Sequence, residues 1–124
     1  MRDLVLVVVD QLRAVTYTSC EGHHDRIGDG APIALRHVGV VPRHADEYIE
    51  LAVALGTTSA IVNANHLHLA ARATVAHRRA TCEDEDRAVL ELVFVPVRPT
   101  WDEYCDAVEV IYGAMVEALA SAPR

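Results

Sequence analysis

Nine consecutive residues, Tyr17-Thr18-Ser19-Cys20-Glu21-Gly22-His23-His24-Asp25, bring together hydroxyls, a thiol, two imidazoles and two carboxylates. An imidazolium held beside a thiol stabilises the thiolate, which activates it as a nucleophile or a metal ligand. Gly22, between Cys20 and His23, lets the chain turn sharply enough for those two side chains to converge. Ser19, Cys20 and His23 are therefore the candidate catalytic set, with Cys20 as thiolate or hydrogen-bonding partner and His23 as general acid or base. The alternative for the same residues is plainer: Cys20 as a small buried filler, His23 and His24 as solvated loop residues.

Other chemistry-bearing residues carry weaker signals. His66 and His68 share one face if their segment is a strand, an arrangement a metal uses when a third ligand arrives from elsewhere. Solvent-facing imidazoles give the same pattern, and no carboxylate lies at ligand spacing. No metal ligand is assigned, and zinc is the less favoured cofactor. His37 reads as a satisfied, half-buried histidine, the run Glu83-Asp84-Glu85-Asp86 as a solvated turn, and Cys82 and Cys105 as inert thiols. The glycine-rich nucleotide loops, the nucleophile elbow and the H-E-x-x-H helix are all missing from the sequence.

These residues need a scaffold, and 124 residues with 52% hydrophobic content suffice for one domain, 1–124, with its own core. The longest apolar run, residues 4–9, is six residues against the roughly 20 that cross a bilayer, so no membrane partner is expected. Asp3 precedes that run, Asp10 and Gln11 close it, and no small-residue cleavage site follows, which reads as a cytoplasmic domain. Three cysteines without a C-x-x-C spacing read as reduced thiols. A net charge of −7, with arginine as the sole basic residue type, opposes tRNA binding and favours a small-molecule substrate. Arg72, Arg78 and Arg79 are the candidates for a local basic patch. Homo-oligomerisation is left open by these features.

Residues 3–15 fit both a buried strand and a helical stripe, with helix preferred after the Asp3 cap. A short strand is expected over 16–19, a loop over 20–32 and a strand over 33–41. A helix over 43–55 should stop at Gly56, with a strand at 57–63 following. From His66 the alternation Leu67, Leu69, Ala71, Ala73, Val75 predicts a half-buried strand, then a turn over 80–87 and a partner strand over 89–97. Thr100 and Glu103 form a capping box, and Tyr104, Val108, Ile111, Met115 and Leu119 repeat at three and four, predicting a helix from 101 to about 120. The expected fold is an α+β sandwich: one mixed sheet of about five strands covered by about three helices.

The segment Tyr17-Thr18-Ser19-Cys20-Glu21-Gly22-His23 resembles the T-[ST]-S-C-S-G-R motif of the wybutosine-synthesising tRNA methyltransferase family. Residues 33–56 are similar to that family's strand and following helix, Gly56-Thr57-Thr58-Ser59-Ala60-Ile61 to its glycine-containing turn, and Val93, Pro96 and Val97 with residues 101–115 to its closing strand and helix. The resemblance implies an S-adenosylmethionine-dependent transferase fold, opening with a helix. Ser19, Cys20, Gly22, Gly56 and Ser59 match the family's motif positions. His23 stands where the family has arginine, and the glycine turn is a residue shorter without its basic position. The acidic charge keeps the tRNA substrate from carrying over. The combined reading is a small enzyme acting on a small molecule or nucleoside. Gly22, Gly56, Thr58 and Ser59 would contact the cosubstrate, the Gly56 turn through backbone N–H groups and hydroxyls. A non-catalytic Cys/His metal- or ligand-binding module, or a structural partner protein, is the alternative.

Overall fold

A computed structural model of the chain describes residues 2–20, 36–82, 84–97 and 101–121. The elements follow in the order α1 (Arg2–Gln11), β1 (Val15–Cys20), β2 (His37–Val41), α2 (Ala45–Ala64), β3 (Ala71–Cys82), β4 (Glu85–Pro96) and α3 (Trp101–Ser121). The strands form one sheet in the order β1-β2-β4-β3, with every neighbouring pair antiparallel. The α+β class and the three helices agree with expectation. Among the described residues, however, the sheet has four strands and is antiparallel throughout, not five and mixed.

The register shows which residues share a face. Val38 lies opposite Leu92, which lies opposite Val75; Val40 lies opposite Leu90, and Leu90 opposite His77. This face, with Phe94, Ala71 and Ala73, packs against Leu4 and Val8 of α1, Leu51, Leu55 and Val62 of α2, and Ile111, Met115 and Leu119 of α3. Polar ties fix α3. The buried Tyr104 hydroxyl donates to the Phe94 carbonyl (2.6 Å), and Tyr112 Oη accepts the Leu4 N–H (3.0 Å) while its ring lies 5.1 Å from the Arg36 guanidinium carbon. On the opposite face Val41, Val89 and Val93 are also buried. There Glu91 accepts from the Tyr17 hydroxyl (2.6 Å) and from Arg78 Nε (3.0 Å).

β2 and β3 run parallel to each other with β4 between them, so α2 is the crossover of a split β–α–β unit. Here the sequence expectation fails most. Gly56 does not stop the helix, and 57–63 is its second half. Leu51, Leu55, Ser59 and Val62 stay buried at intervals of four, four and three. Burial along that stripe outweighs the cost of about 1 kcal/mol for a mid-helix glycine and the strand preference of Thr57, Thr58, Ile61 and Val62.

The strand expected from His66 starts at Ala71 instead. Asn65 is the helix C-cap, and residues 66–70 form turns held by Arg72, whose guanidinium donates to the Leu67, Leu69 and Ala71 carbonyls at 2.9–3.0 Å. The turn expected over 80–87 is much tighter. Cys82 lies opposite Glu85, and Asp84 takes φ 64°, a left-handed conformation that aspartate tolerates and tight hairpins use. Arg79 and Asp86, both expected near or in that turn, pair at 2.8 Å along the strands.

Candidate functional site

Ser19 and Cys20 are the last two residues of β1, opposite Val38 and His37 in the register. Gly22, His23, His24 and Asp25 lie outside the described residues, and so does the expected convergence of Cys20 with His23. The expected cosubstrate turn is not a turn. Gly56, Thr58 and Ser59 sit inside α2, where backbone N–H groups are committed to the helix ladder and cannot reach out to a carboxylate. Thr58 is half-buried. Gly56 and Ser59 nevertheless face one groove.

That groove, about 360 Å³, runs between α2 and the edge strand β3. Ala52, Gly56, Ser59, Ala60 and Asn63 form its helical wall, and Ala73, Thr74, Val75 and His77 its strand wall. Ser59 Oγ is buried and has no hydrogen-bond partner among the described residues. Asn63 closes one end by imitating a neighbouring strand: its Nδ2 donates to the Ala73 carbonyl (2.8 Å) and its Oδ1 accepts the Ala73 N–H (2.9 Å). At the other end the Tyr48 hydroxyl and His77 Nδ1 are 2.6 Å apart, with the rings tilted at 37°. Tyr48 reaches His77 because α2 runs antiparallel to β3, so the start of the helix lies over the later part of the strand.

Beyond Tyr48 a second, wider cleft of about 730 Å³ opens, walled by residues 42–45, Tyr48, Ile49 and residues 85–88. Its hydrogen bonds hold the start of α2. His44 is the N-cap, and its Nδ1 accepts the Glu47 N–H (3.2 Å), so that nitrogen carries no proton. Glu47 accepts the Arg43 N–H (3.0 Å) and pairs with its guanidinium (2.7 Å). Burial is the largest single influence on the Glu47 carboxyl and raises its pKa. The hydrogen bonds from Arg43 and its charge together prevail, leaving it below the ordinary carboxylate value. Arg87 donates to the Pro42 and Arg43 carbonyls (3.0 and 3.3 Å), tying β4 to the loop before α2.

The remaining candidates have structural partners. Arg78 and Arg79 pair with Glu91 and Asp86. His66 lies in the turn after α2, not on a strand, and its Nδ1 is 2.8 Å from the Val62 carbonyl, which fixes it as the protonated nitrogen. Among the described residues no three His, Cys, Asp or Glu side chains gather where a metal ion could sit. Burial pushes the Cys105 thiol up, and the Asp102 carboxylate adds to this, which suits an unreactive cysteine.

The Tyr48–His77 pair was not among the sequence candidates, since its members stand 29 residues apart. The signals were present: Tyr48 belongs to the helical stripe with Leu51 and Leu55, and His77 continues the Ala71, Ala73, Val75 alternation. Comparison with protein-family models, curated proteins and solved structures gave no match to the chain.

Proposed function

We propose that this protein binds a small molecule in the α2–β3 groove and uses the Tyr48–His77 pair to move a proton on it. The short phenol–imidazole contact at the junction of two clefts carries this reading. With Nδ1 accepting from the phenol, Nε2 holds the ring proton and serves as an acid; in the other tautomer Nδ1–H donates to the phenol oxygen and Nε2 is the base. Small side chains at Ala52, Gly56 and Ala60 leave room for a flat ligand such as a nucleobase. The Ser59 hydroxyl, which has no hydrogen-bond partner among the described residues, lies along the wall. A transferase reaction with S-adenosylmethionine, which the family resemblance implies, would have to draw its cosubstrate contacts from elsewhere than residues 56–59.

The test is a ¹H–¹⁵N titration of the whole chain with adenosine, guanosine and S-adenosylmethionine in turn. Saturating shifts at Gly56, Ser59, Val75 and His77, lost in Tyr48→Phe and His77→Phe, are the expected result. Saturable shifts mapping only to residues 19–25 would move the site to the Ser19–Cys20 loop and refute the groove. A bound ligand at 100 times its dissociation constant should also add about 2.7 kcal/mol of stability.

A further inference from the structure

We propose that the α2–β3 groove selects ligands carrying a cis-amide edge, an N–H donor beside a carbonyl oxygen on one planar group, and docks that edge on the backbone of Val75. Lactam rings and primary carboxamides have such an edge. The proposal rests on reading the groove as a small-molecule site and names the chemistry that site takes.

The template is already in the molecule. Asn63 lays its side-chain carboxamide against Ala73, donating to the carbonyl (2.8 Å) and accepting the N–H (2.9 Å). Both backbone groups of Ala73 therefore point away from β4, and Phe94 opposite it turns its own N–H to the Arg36 carbonyl (2.9 Å). In an antiparallel ladder alternate residues repeat this orientation, so Val75 also points its N–H and C=O outward. Among the described residues neither group has a partner. Val75 thus offers a ligand the same donor and acceptor that Ala73 offers Asn63.

Its place on the wall separates Val75 from the other outward residues of the strand. Ala73 is occupied, His77 ends the groove against Tyr48, and Arg79 lies beyond it. One helical turn before Asn63, about 6 Å back along α2, comes Ser59; two residues past Ala73, about 7 Å along β3, comes Val75. Because α2 runs antiparallel to β3, the two steps go the same way and set Ser59 beside Val75 as Asn63 is set beside Ala73. The serine side chain is too short to repeat the bridge. Its hydroxyl, on a residue 4% exposed, has no hydrogen-bond partner among the described residues. A buried hydroxyl left unpaired is costly, and a bound polar group would relieve it. Thr74 lines the groove as well, although it lies opposite Val93 on the other face of the sheet, so the edge backbone forms part of the wall. The volume of about 360 Å³ suits a single ring with a substituent. A ring docked on Val75 has His77 one strand repeat, about 7 Å, further along, within reach of its far side.

Two matched pairs of compounds test the edge. Uridine has a ring N–H between two carbonyls, and 3-methyluridine differs only in a methyl group at that nitrogen. Nicotinamide and methyl nicotinate differ in the same way, the ester lacking the donor. Titrated into the ¹⁵N-labelled full chain, uridine should shift the Val75 amide and slow its hydrogen exchange towards that of Ala73. Binding of 3-methyluridine should be roughly tenfold weaker, the effect of a lost hydrogen bond with its partner left unmet. Nicotinamide should shift the Val75 amide and methyl nicotinate should not. Val75→Pro removes the outward N–H without breaking a bond to β4, at an edge position that tolerates proline, and should bind both uridines equally weakly. The wild-type comparison stands whether or not that variant folds. Equal wild-type affinity for uridine and 3-methyluridine overturns the proposal. So does a groove that shifts with adenosine or S-adenosylmethionine but with neither uridine nor nicotinamide. In both cases the reading of the groove as a small-molecule site survives; no shift in the groove with any of these compounds removes both.

Discussion

Asn63 joins the end of α2 to the edge of β3 through both polar atoms of its amide, and replacing it by alanine isolates that device. Two hydrogen bonds of 2.8 and 2.9 Å vanish, and they are made to the backbone of Ala73, a residue only 3% exposed. A typical net hydrogen bond contributes about 1 kcal/mol, and a buried group left unsatisfied costs about 1–3 kcal/mol. Two groups are affected, both at a sheet edge that water partly reaches, so the gross loss is about 2–3 kcal/mol. Alanine returns about 0.6 kcal/mol through its better helix propensity. The net expectation is a loss of about 2 kcal/mol, or a melting temperature lower by roughly 6–10 °C for a domain of this size. Urea denaturation should show a lower midpoint with an unchanged slope. Asn63→Asp sharpens the test. Its carboxylate can still accept the Ala73 N–H but faces the Ala73 carbonyl without a donor, so at neutral pH it should be at least as unstable as the alanine variant. A loss below about 0.5 kcal/mol in both variants would refute the idea that Asn63 substitutes for a neighbouring strand.

Ser59→Ala removes a buried hydroxyl with no partner among the described residues and replaces it with a better helix former, so stability should rise by about 1 kcal/mol; a fall in the denaturation midpoint would contradict this. Glu47 is held below the ordinary carboxylate value, so its contribution is present above that value and lost as the pH falls through the folded-state pKa. Glu47→Gln should therefore be less stable than wild type at neutral pH, with the gap closing in acid; a gap that widens in acid reverses the sign of the argument. Arg78 and Arg79 are paired with Glu91 and Asp86, so no tRNA complex is expected near neutral pH in about 0.1 M salt. A mobility shift at submicromolar protein that weakens steeply with salt would count against that pairing as neutralisation.

Elements with a period and a boundary signal were legible in the sequence. In α3 the Thr100–Glu103 pattern marks the start, and Tyr104 to Leu119 keep one stripe, so sequence and structure agree within a residue or so. α1 was legible as a helix but not in length: Val15, which fits the helical stripe, instead begins β1 after a turn in which Arg13 takes φ 57°. α2 was legible for only half its length, because glycine is a local stop signal while the burial of Ser59 and Val62 depends on α3 and the sheet. The hairpin tip was lost for a similar reason, since its four acidic residues look like a loop until Arg79 is placed beside Asp86. Of the site, Gly56 and Ser59 were singled out and do line a groove, but as helical positions. Tyr48 with His77 depends on the crossover that lays α2 over β3, a long-range fact that no short window contains.

The split crossover also governs the order in which the sheet can be completed during synthesis. β4 lies between β2 and β3, yet is the last strand made, ending 55 residues after β2. At about 5–20 residues per second, β1 and β2 wait roughly 3–11 s before their neighbour exists, whereas hairpins form in microseconds. During that interval the β2 edge that later receives Leu90, Leu92 and Phe94 is bare, and Val38 and Val40 have no sheet neighbour on that side. β3 and β4 need no such delay, because their twelve paired residues are joined by a tight turn. The nascent chain thus carries its most vulnerable edge in its first third, and slowing translation before β4 should expose that edge to other chains for longer.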